Sequence, residues 1–495
     1  MKKIRKYIAA VLLLSFVMAS LASCGTSDPA KSETDPSDTI VSGKIDVKYT
    51  HRDLDGSWDD GEATKVALSD ESYTIKEAGV YVFSGTLKDG QIIVDAGDTD
   101  KVQIVLNGAD LKCDSGPAIM VENADKTFLT LAEGSENTVA DGKAYDVTED
   151  QPWGAIFSRD TLTINGSGKL TVAGSYNNGI VSKDDLKITG GEIQVTAKND
   201  GLRGRDSVRI YDGKISIDAA GDGIKSNNDT DEGKGFVSID GGEIEIENVS
   251  SQGIDAFYVA QVTGGAVSID SSNEGIQGKL IYIQDGGLDI RVSDDCLNAT
   301  DSTQTGSENA QDGVGLEIAG GTLNLSTTAG DGLDSNGDLT VSGGTTMIQG
   351  SSGGAEVNLD YNGKGVITGG TVIGVGNTQM AQNFGEDSAQ GSILYGTENT
   401  EAGTTVTLMD ADGKELASIK ADRSFSSVLV SSPDMKKGET YTLKIGSDSQ
   451  EIELSTLVVS EGTSGEMGGG GHHGNDKGPG GTMGPPAGGG PMGKQ

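Results

Sequence analysis

Two columns of oxygen-bearing side chains run through the middle of the chain. The segments NNGIVS, NDGLRG, GDGIKS, SQGIDA, NEGIQG, DDCLNA and GDGLDS share a marker position at Gly179, Gly201, Gly223, Gly253, Gly275, Cys296 and Gly332. Before the marker stand Asn178, Asp200, Asp222, Gln252, Glu274, Asp295 and Asp331. Two residues after it stand Val181, Arg203, Lys225, Asp255, Gln277, Asn298 and Asp334, and Asp360 continues the series. The early segments answer acid with base, Asp200 with Arg203 and Asp222 with Lys225, as ordinary surface ion pairs do. In the later segments the bases vanish. If these positions stack, like charges one strand apart repel by roughly 3–4 kcal/mol at an effective dielectric near 20. A bound cation would remove that repulsion, and carboxylates with amides, without His or Cys, suit Ca²⁺. The candidate ligands are Asp222, Asp255, Glu274, Asp294, Asp295, Asn298, Asp331, Asp334 and Asp360. Asp before Gly is also an ordinary turn former, and exposed acids relax by rotating into water, so a purely structural reading stays open.

Stacking has to come from the elements around the markers. The steps between markers are 22, 22, 30, 22, 21 and 36, the long ones carrying the insertions NNDTDEGKG and TDSTQTGSENAQDG. Runs such as LKITGGEIQVTA and VSIDGGEIEIEN alternate apolar and polar residues about a Gly-Gly turn, which reads as strand, turn, strand. Several short strands per ~22-residue repeat predict an all-β fold, a parallel β-helix. Its core rows would be Ile180, Leu202, Ile224, Ile254, Ile276, Leu297 and Leu333, stacked at ~4.8 Å. The predicted solenoid spans 46–391, and hairpins over 392–460 form a small C-terminal β module or cap. Residues 461–495, rich in Gly, Pro and Met, read as a disordered tail. His472 and His473 lie there, where nothing would hold them about a metal.

Composition narrows the function. Glycine numbers 76 of 495 residues, aromatics are 4%, and 75 acids against 37 Lys and Arg give a net charge of −38. That charge argues against nucleic acid as a partner, because phosphate contacts need a basic face. Residues 1–24 read as an export signal: basic MKKIRKY, an apolar stretch, then LASC. This matches a bacterial lipobox, with lipid on Cys24, a polar tether over 25–45 and a place on the extracellular face of the cell membrane. Cys113 and Cys296 are far apart and read as separate buried thiols.

The ordered series NNGIVSKDDLKITGG, GDGIKSNND, NEGIQG, SDDCLNATD, GDGLDSNGDLTVSGGT and LDYNGKGVITGGTVIGVGNTQMAQ resembles a family of clostridial-type extracellular carbohydrate-binding proteins over roughly 46–395. The resemblance implies a right-handed parallel β-helix, pectate-lyase-like in shape, with calcium sites and affinity for cellulose or acidic plant polysaccharide, and no established catalysis. It carries over Asp222, Glu274, Asp294, Asp295, Asn298, Asp331 and Asp334 as family-type ligands. Cys296 departs from the family's small marker residue, and is expected to narrow the dihedrals of its turn.

The expected activity is calcium-dependent polysaccharide binding by a monomer, with Arg203, Arg205, Lys225, Tyr258 and Tyr282 as sugar contacts. Tyr211 and Tyr361 are further stacking candidates, although any of these tyrosines can equally be a ladder residue in the wall. The alternative is a pectate-type lyase. Its β-elimination would need a base, best supplied by Lys225 and then by Arg203 or Arg205. A structural surface scaffold also fits the repeat. A glycosidase fits less, because no pair of acids stands out by spacing. For the lipid anchor, Cys24→Ala should leave an unprocessed precursor that takes up no radiolabelled fatty acid. Normal labelling of that variant would remove the lipoprotein assignment.

Overall fold

Strands with one apolar side and no partner within their own repeat must find that partner in the next repeat. The computed structural model describes residues 38–41, 43–145, 151, 153–304, 309–354 and 356–462. The proposed leader with Cys24, and the tail with His472 and His473, lie outside the described residues. Three parallel sheets wind about one core as a parallel β-helix. The marker face stacks Ile119–Asn123, Gly154–Ser158, Asn178–Ser182, Leu202–Gly204 and Ile224–Ser226, then residues 252–256 and 274–278, then Leu297–Ala299, Leu333–Ser335 and Leu359–Tyr361. The second face includes Lys126–Leu131, Thr161–Gly166, Asp185–Ile188, Ser207–Ile210 and Phe236–Ile239. The third includes Glu136–Asp141, Lys169–Gly174, Glu192–Ala197, Lys214–Ala219 and Glu243–Glu247.

The predicted row Ile180, Leu202, Ile224, Ile254, Ile276, Leu297 and Leu333 is inside, each residue at most 1% exposed. Between the second and third faces, Gly-Gly turns place their second glycine in the left-handed region, as at Gly242 (φ 83°) and Gly265 (φ 82°). The markers are glycine for another reason. Each turns inward against the next coil: a Cβ on Gly253 would lie 2.6 Å from Ile269 Cγ2 and 2.9 Å from the Gly275 carbonyl oxygen. None of the markers has a left-handed φ. The expected narrowing of dihedrals at Cys296 therefore does not arise, and the constraint there is space. The third-face residues against Gly179, Gly201, Gly223, Gly253, Gly275 and Gly332 are β-branched: Val195, Ile217, Ile246, Ile269, Ile290 and Ile348. The corresponding register position for Cys296 is Leu325, which lacks the Cβ branch that would crowd a thiol.

The N-terminal segment departs from expectation. The solenoid was expected to begin at 46, yet residues 43–58 lie as a strap along the outside of the second face. Thr39–Val41 pairs antiparallel with Val47–Tyr49. Lys44 pairs with Glu317 at 2.7 Å, and Ile45 exchanges two hydrogen bonds with the Gln261 amide. Tyr49 donates to Asp240 at 2.7 Å. Asp53 accepts from Thr163 and is gripped by Lys126 and Lys187. The partners fall from 317 to 126, so the strap runs against the direction of coil stacking. No periodicity marks such contacts.

At the other end, residues 372–376 of the last parallel strand Gly365–Gly376 meet Phe425–Ser431 antiparallel. That strand pairs in turn with Ser392–Thr400. A four-stranded antiparallel sheet packs on these strands through one shared apolar cluster that joins its Val406 and Tyr441 to Ile373, Phe425 and Val428. The C-terminal module thus closes the open sheet edge, where unpaired backbone would otherwise invite aggregation.

Asp53 is fully buried between two lysines that are 8% and 6% exposed. Asp53→Ala would strand two buried cations and should cost about 3–5 kcal/mol, read as a lowered urea midpoint. A midpoint unchanged within error would show that the strap does not contribute to stability.

Candidate functional site

The outward side chains of the marker face form one registered row: Phe157, Val181, Arg203, Lys225, Asp255, Gln277, Asn298, Asp334 and Asp360. Its character changes along the axis from apolar to basic to acidic. Beside it runs the column that precedes the markers, and here the carboxylates have a backbone duty. Asp200 accepts from the N–H of Asp222, Asp222 from Gln252, Asp295 from Asp331 at 2.7 Å, and Asp331 from Val357. Each acid thereby ties the turn of its own coil to the turn of the next. These bonds join successive coils rather than closing a local turn, and they engage only one carboxylate oxygen of Asp295 and of Asp331.

In the middle of the row, acids meet bases. Arg203 bonds Asp200 at 2.7 Å, and Lys225 lies between Asp222 at 2.5 Å and Asp255 at 2.7 Å. Burial opposes the charge on Lys225, but Asp255 and Asp222 outweigh it and push the ammonium pKa well above the ordinary lysine value. Asp222 and Asp255, expected as cation ligands, share Lys225 as their one counter-ion, and burial still raises the Asp255 carboxyl. Arg205 leaves the row for the 227–235 insertion, within 3.2 Å of Thr230.

Beyond Asp255 no described base answers the acids. Asp331, Asp334 and Asp360 each bring a carboxylate oxygen within 4.8 Å of the other two. Burial pushes Asp334 up to about 9, reinforced by Asp295, Asp331, Asp360 and Glu274. Burial likewise raises Asp331 to about 8, against the hydrogen bond from Val357 and with help from Asp295 and Asp360. Asp295 rises to about 7, from burial and the nearby charges of Asp294 and Glu274. Glu274, Glu356 and Asp360 are raised by burial as well. Three acceptors in the same region lack a hydrogen-bond partner. They are the Oδ1 of Asn298, a residue 8% exposed and in register with Asp334, the Oδ1 of Asn358, and the Oε1 of Gln382, whose amide donates to Asp360 at 2.8 Å. Desolvated carboxyls beside orphaned amide oxygens are a donor set that suits a hard cation.

Of the predicted ligands, Glu274, Asp294, Asp295, Asn298, Asp331, Asp334 and Asp360 fall in this region. Glu356 and Gln382 were not predicted, because both come from irregular connections outside the repeat. The predicted tyrosines are largely wall. Tyr282 has Lys44 5.7 Å from its ring centre, and Tyr211 packs edge-on against Tyr49. Tyr258 packs edge-on with Phe257, and Tyr361 donates to the Asn383 carbonyl. The aromatic group at the apolar end of the row, Tyr145, Trp153 and Tyr176, was also missed. It sits in turns whose sequence carries no repeat signature.

A family model described as carbohydrate-binding domain-containing protein matches residues 69–354 and 252–413. A relative of that description from Acetivibrio thermocellus is 35% identical over 197 residues, 39% of this chain. The match spans 66% of the relative's own length, just under two thirds. A solved structure, a polysaccharide lyase-like protein from C. thermocellum as a gadolinium derivative, shares 35% identity with a TM-score of 0.42. That match covers 48% of this chain and 98% of the other. With its three-sided solenoid and most of its length matched, the chain belongs to the family of carbohydrate-binding domain-containing proteins.

Proposed function

We propose that the protein is a surface-anchored, calcium-dependent polysaccharide-binding protein without catalytic activity, tethered through lipid at Cys24, whose ligand is cellulose or an acidic plant polysaccharide such as pectate. One observation carries the reading: a base-free carboxylate cluster that includes a nine-tenths buried amide oxygen with no partner. Asp331, Asp334 and Asp360 would hold the ion, with Asn298 Oδ1 and Gln382 Oε1 as neutral ligands. Bound Ca²⁺ would supply positive charge on a face that otherwise repels a polyuronate. The protein's own residues set the position. The turn ladder fixes Asp295 and Asp331, and strand register sets Asn298, Asp334 and Asp360 side by side.

The lyase alternative needs a group able to accept a proton. Lys225 is a poor one, since two carboxylates hold it charged. Catalytic bases work with a pKa near the operating pH, not far above it.

Two measurements test these statements. Without a cation, the folded pKa values of Asp295, Asp331 and Asp334 lie near 7, 8 and 9, against about 3.9 for an unfolded Asp. The folded chain then keeps protons that the unfolded chain has released, so stability declines as pH rises from about 4 through these values. In EDTA the melting temperature should fall between pH 5 and pH 9. Excess Ca²⁺ should cancel the fall by taking the protons' place, contributing about 2.7 kcal/mol at a hundredfold excess over Kd. Asp334→Asn should raise the EDTA melting temperature at pH 9 and shrink the calcium increment. A flat profile with no calcium effect would leave only the role of joining coils. Separately, polygalacturonate should be retained in calcium and released in EDTA, with no absorbance from unsaturated uronate. If product does form, and Lys225→Ala slows it by ~10²–10⁴-fold, the protein is a lyase.

A further inference from the structure

Among the described residues, the large apolar side chains left exposed are Tyr176, at 37%, and Met380. Tyr176 is held in a way that an idle surface ring is not. Its ring stacks on Tyr145 with centroids 4.0 Å apart and planes 11° from parallel. Tyr145 donates its hydroxyl to Asp141 at 2.7 Å. The other oxygen of Asp141 accepts from the backbone N–H groups of Ser175 and Tyr176. A carboxylate that is 3% exposed therefore fixes the side chain of one tyrosine and the main chain of the other. Behind Tyr145 the support continues through Trp153, at 6.1 Å, to Phe157 and the cluster with Met120 and Val181. That cluster closes with Tyr145, and Tyr176 sits outside it. The ring braced outward is thus not needed to cover the apolar end of the row.

We infer that the Tyr145–Tyr176 stack is a platform for an uncharged pyranose ring of the bound polysaccharide, acting without any cation. The inference deepens the polysaccharide-binding reading and rests on it only for the class of ligand. A pyranose with equatorial hydroxyls presents C–H groups on its faces and hydroxyls around its rim. A rigid aromatic face can take the apolar side at little loss of conformational freedom, since Tyr has two side-chain torsions. The rim would meet amides: Asn177 adjoins the platform, and Asn199 donates to Asn178 at 2.9 Å in the next coil. Tyr176 precedes Asn178–Ser182, and six strand pairings separate that strand from the one carrying Asp334. At ~4.8 Å per pairing the two places are about 29 Å apart along the axis. No single sugar can touch both, so a neutral subsite and an ionic subsite can be separated by experiment.

The probe is cellohexaose, titrated into the full-length protein in EDTA by calorimetry. The wild type should bind. Tyr176→Ala should bind roughly tenfold or more weakly, the scale of one lost aromatic contact. Tyr176→Phe should bind like the wild type, because the ring face and not the hydroxyl makes the contact. Asp331→Asn with Asp334→Asn should leave cellohexaose affinity unchanged, and Tyr176→Ala should still retain polygalacturonate in calcium. Equal affinity of Tyr176→Ala and wild type overturns the platform, as does failure of the wild type to bind. Failure of polygalacturonate to bind, with cellohexaose behaving as described, would instead remove the calcium reading and leave the platform standing.

Discussion

Backbone hydrogen bonding between successive coils is the constraint from which the rest follows. It sets each residue ~4.8 Å from its equivalents above and below, so every position has itself for a neighbour. Apolar rows such as Ile180 to Leu333 gain from this, since like packs on like. Charged rows lose. The outward row of the marker face therefore has to change its chemistry as it climbs, and it does so in three stretches. Phe157 and Val181 are covered by aromatics, Arg203 and Lys225 are matched to acids, and only from Gln277 onward do carboxylates stand without bases. Exposed acids such as Asp218, Glu247 and Asp270 also stack in register, but in the candidate cation cluster the stacked carboxylates are desolvated, which is why it stands out against an already acidic surface.

The repeat, and with it the core and the two site columns, could be read from the chain because stacking turns period into proximity. Residues at the marker step, such as Asn298 and Asp334, are strand neighbours although they lie far apart in sequence. Contacts outside that step have no such signal. Glu356 and Gln382 arrive on irregular connections, and the strap meets side chains as near as Lys126 and as far as Glu317 in no repeating order. The pairing of Lys225 with both Asp222 and Asp255 lies between these cases. The first partner is three residues away and could be read directly. The second needed the register across the 30-residue step, and it changes Asp255 from a ligand into a counter-ion.

Asp295 and Asp331 show how one side chain can serve fold and site together. One oxygen bonds the coil above, so neither carboxylate is free to rotate into water and relieve its repulsion. Burial raises both carboxyls, and the same hydrogen bonds that hold the coils in register offset part of that rise.

The strap also has a consequence for the order of assembly. Solenoids gain structure coil by coil, each new turn templated by the last, and in principle can start anywhere along their length. Asp53 cannot settle until Lys187 exists, 134 residues further along, and Ile45 waits for Gln261, 216 residues on. The segment made first is therefore seated late. Until it docks, Lys126 and Lys187 face each other across an open groove with no acid between them. Docking of the strap waits for the coils up to Glu317, so a chain stalled before them would keep residues 43–58 loose and open to a protease that the finished molecule resists.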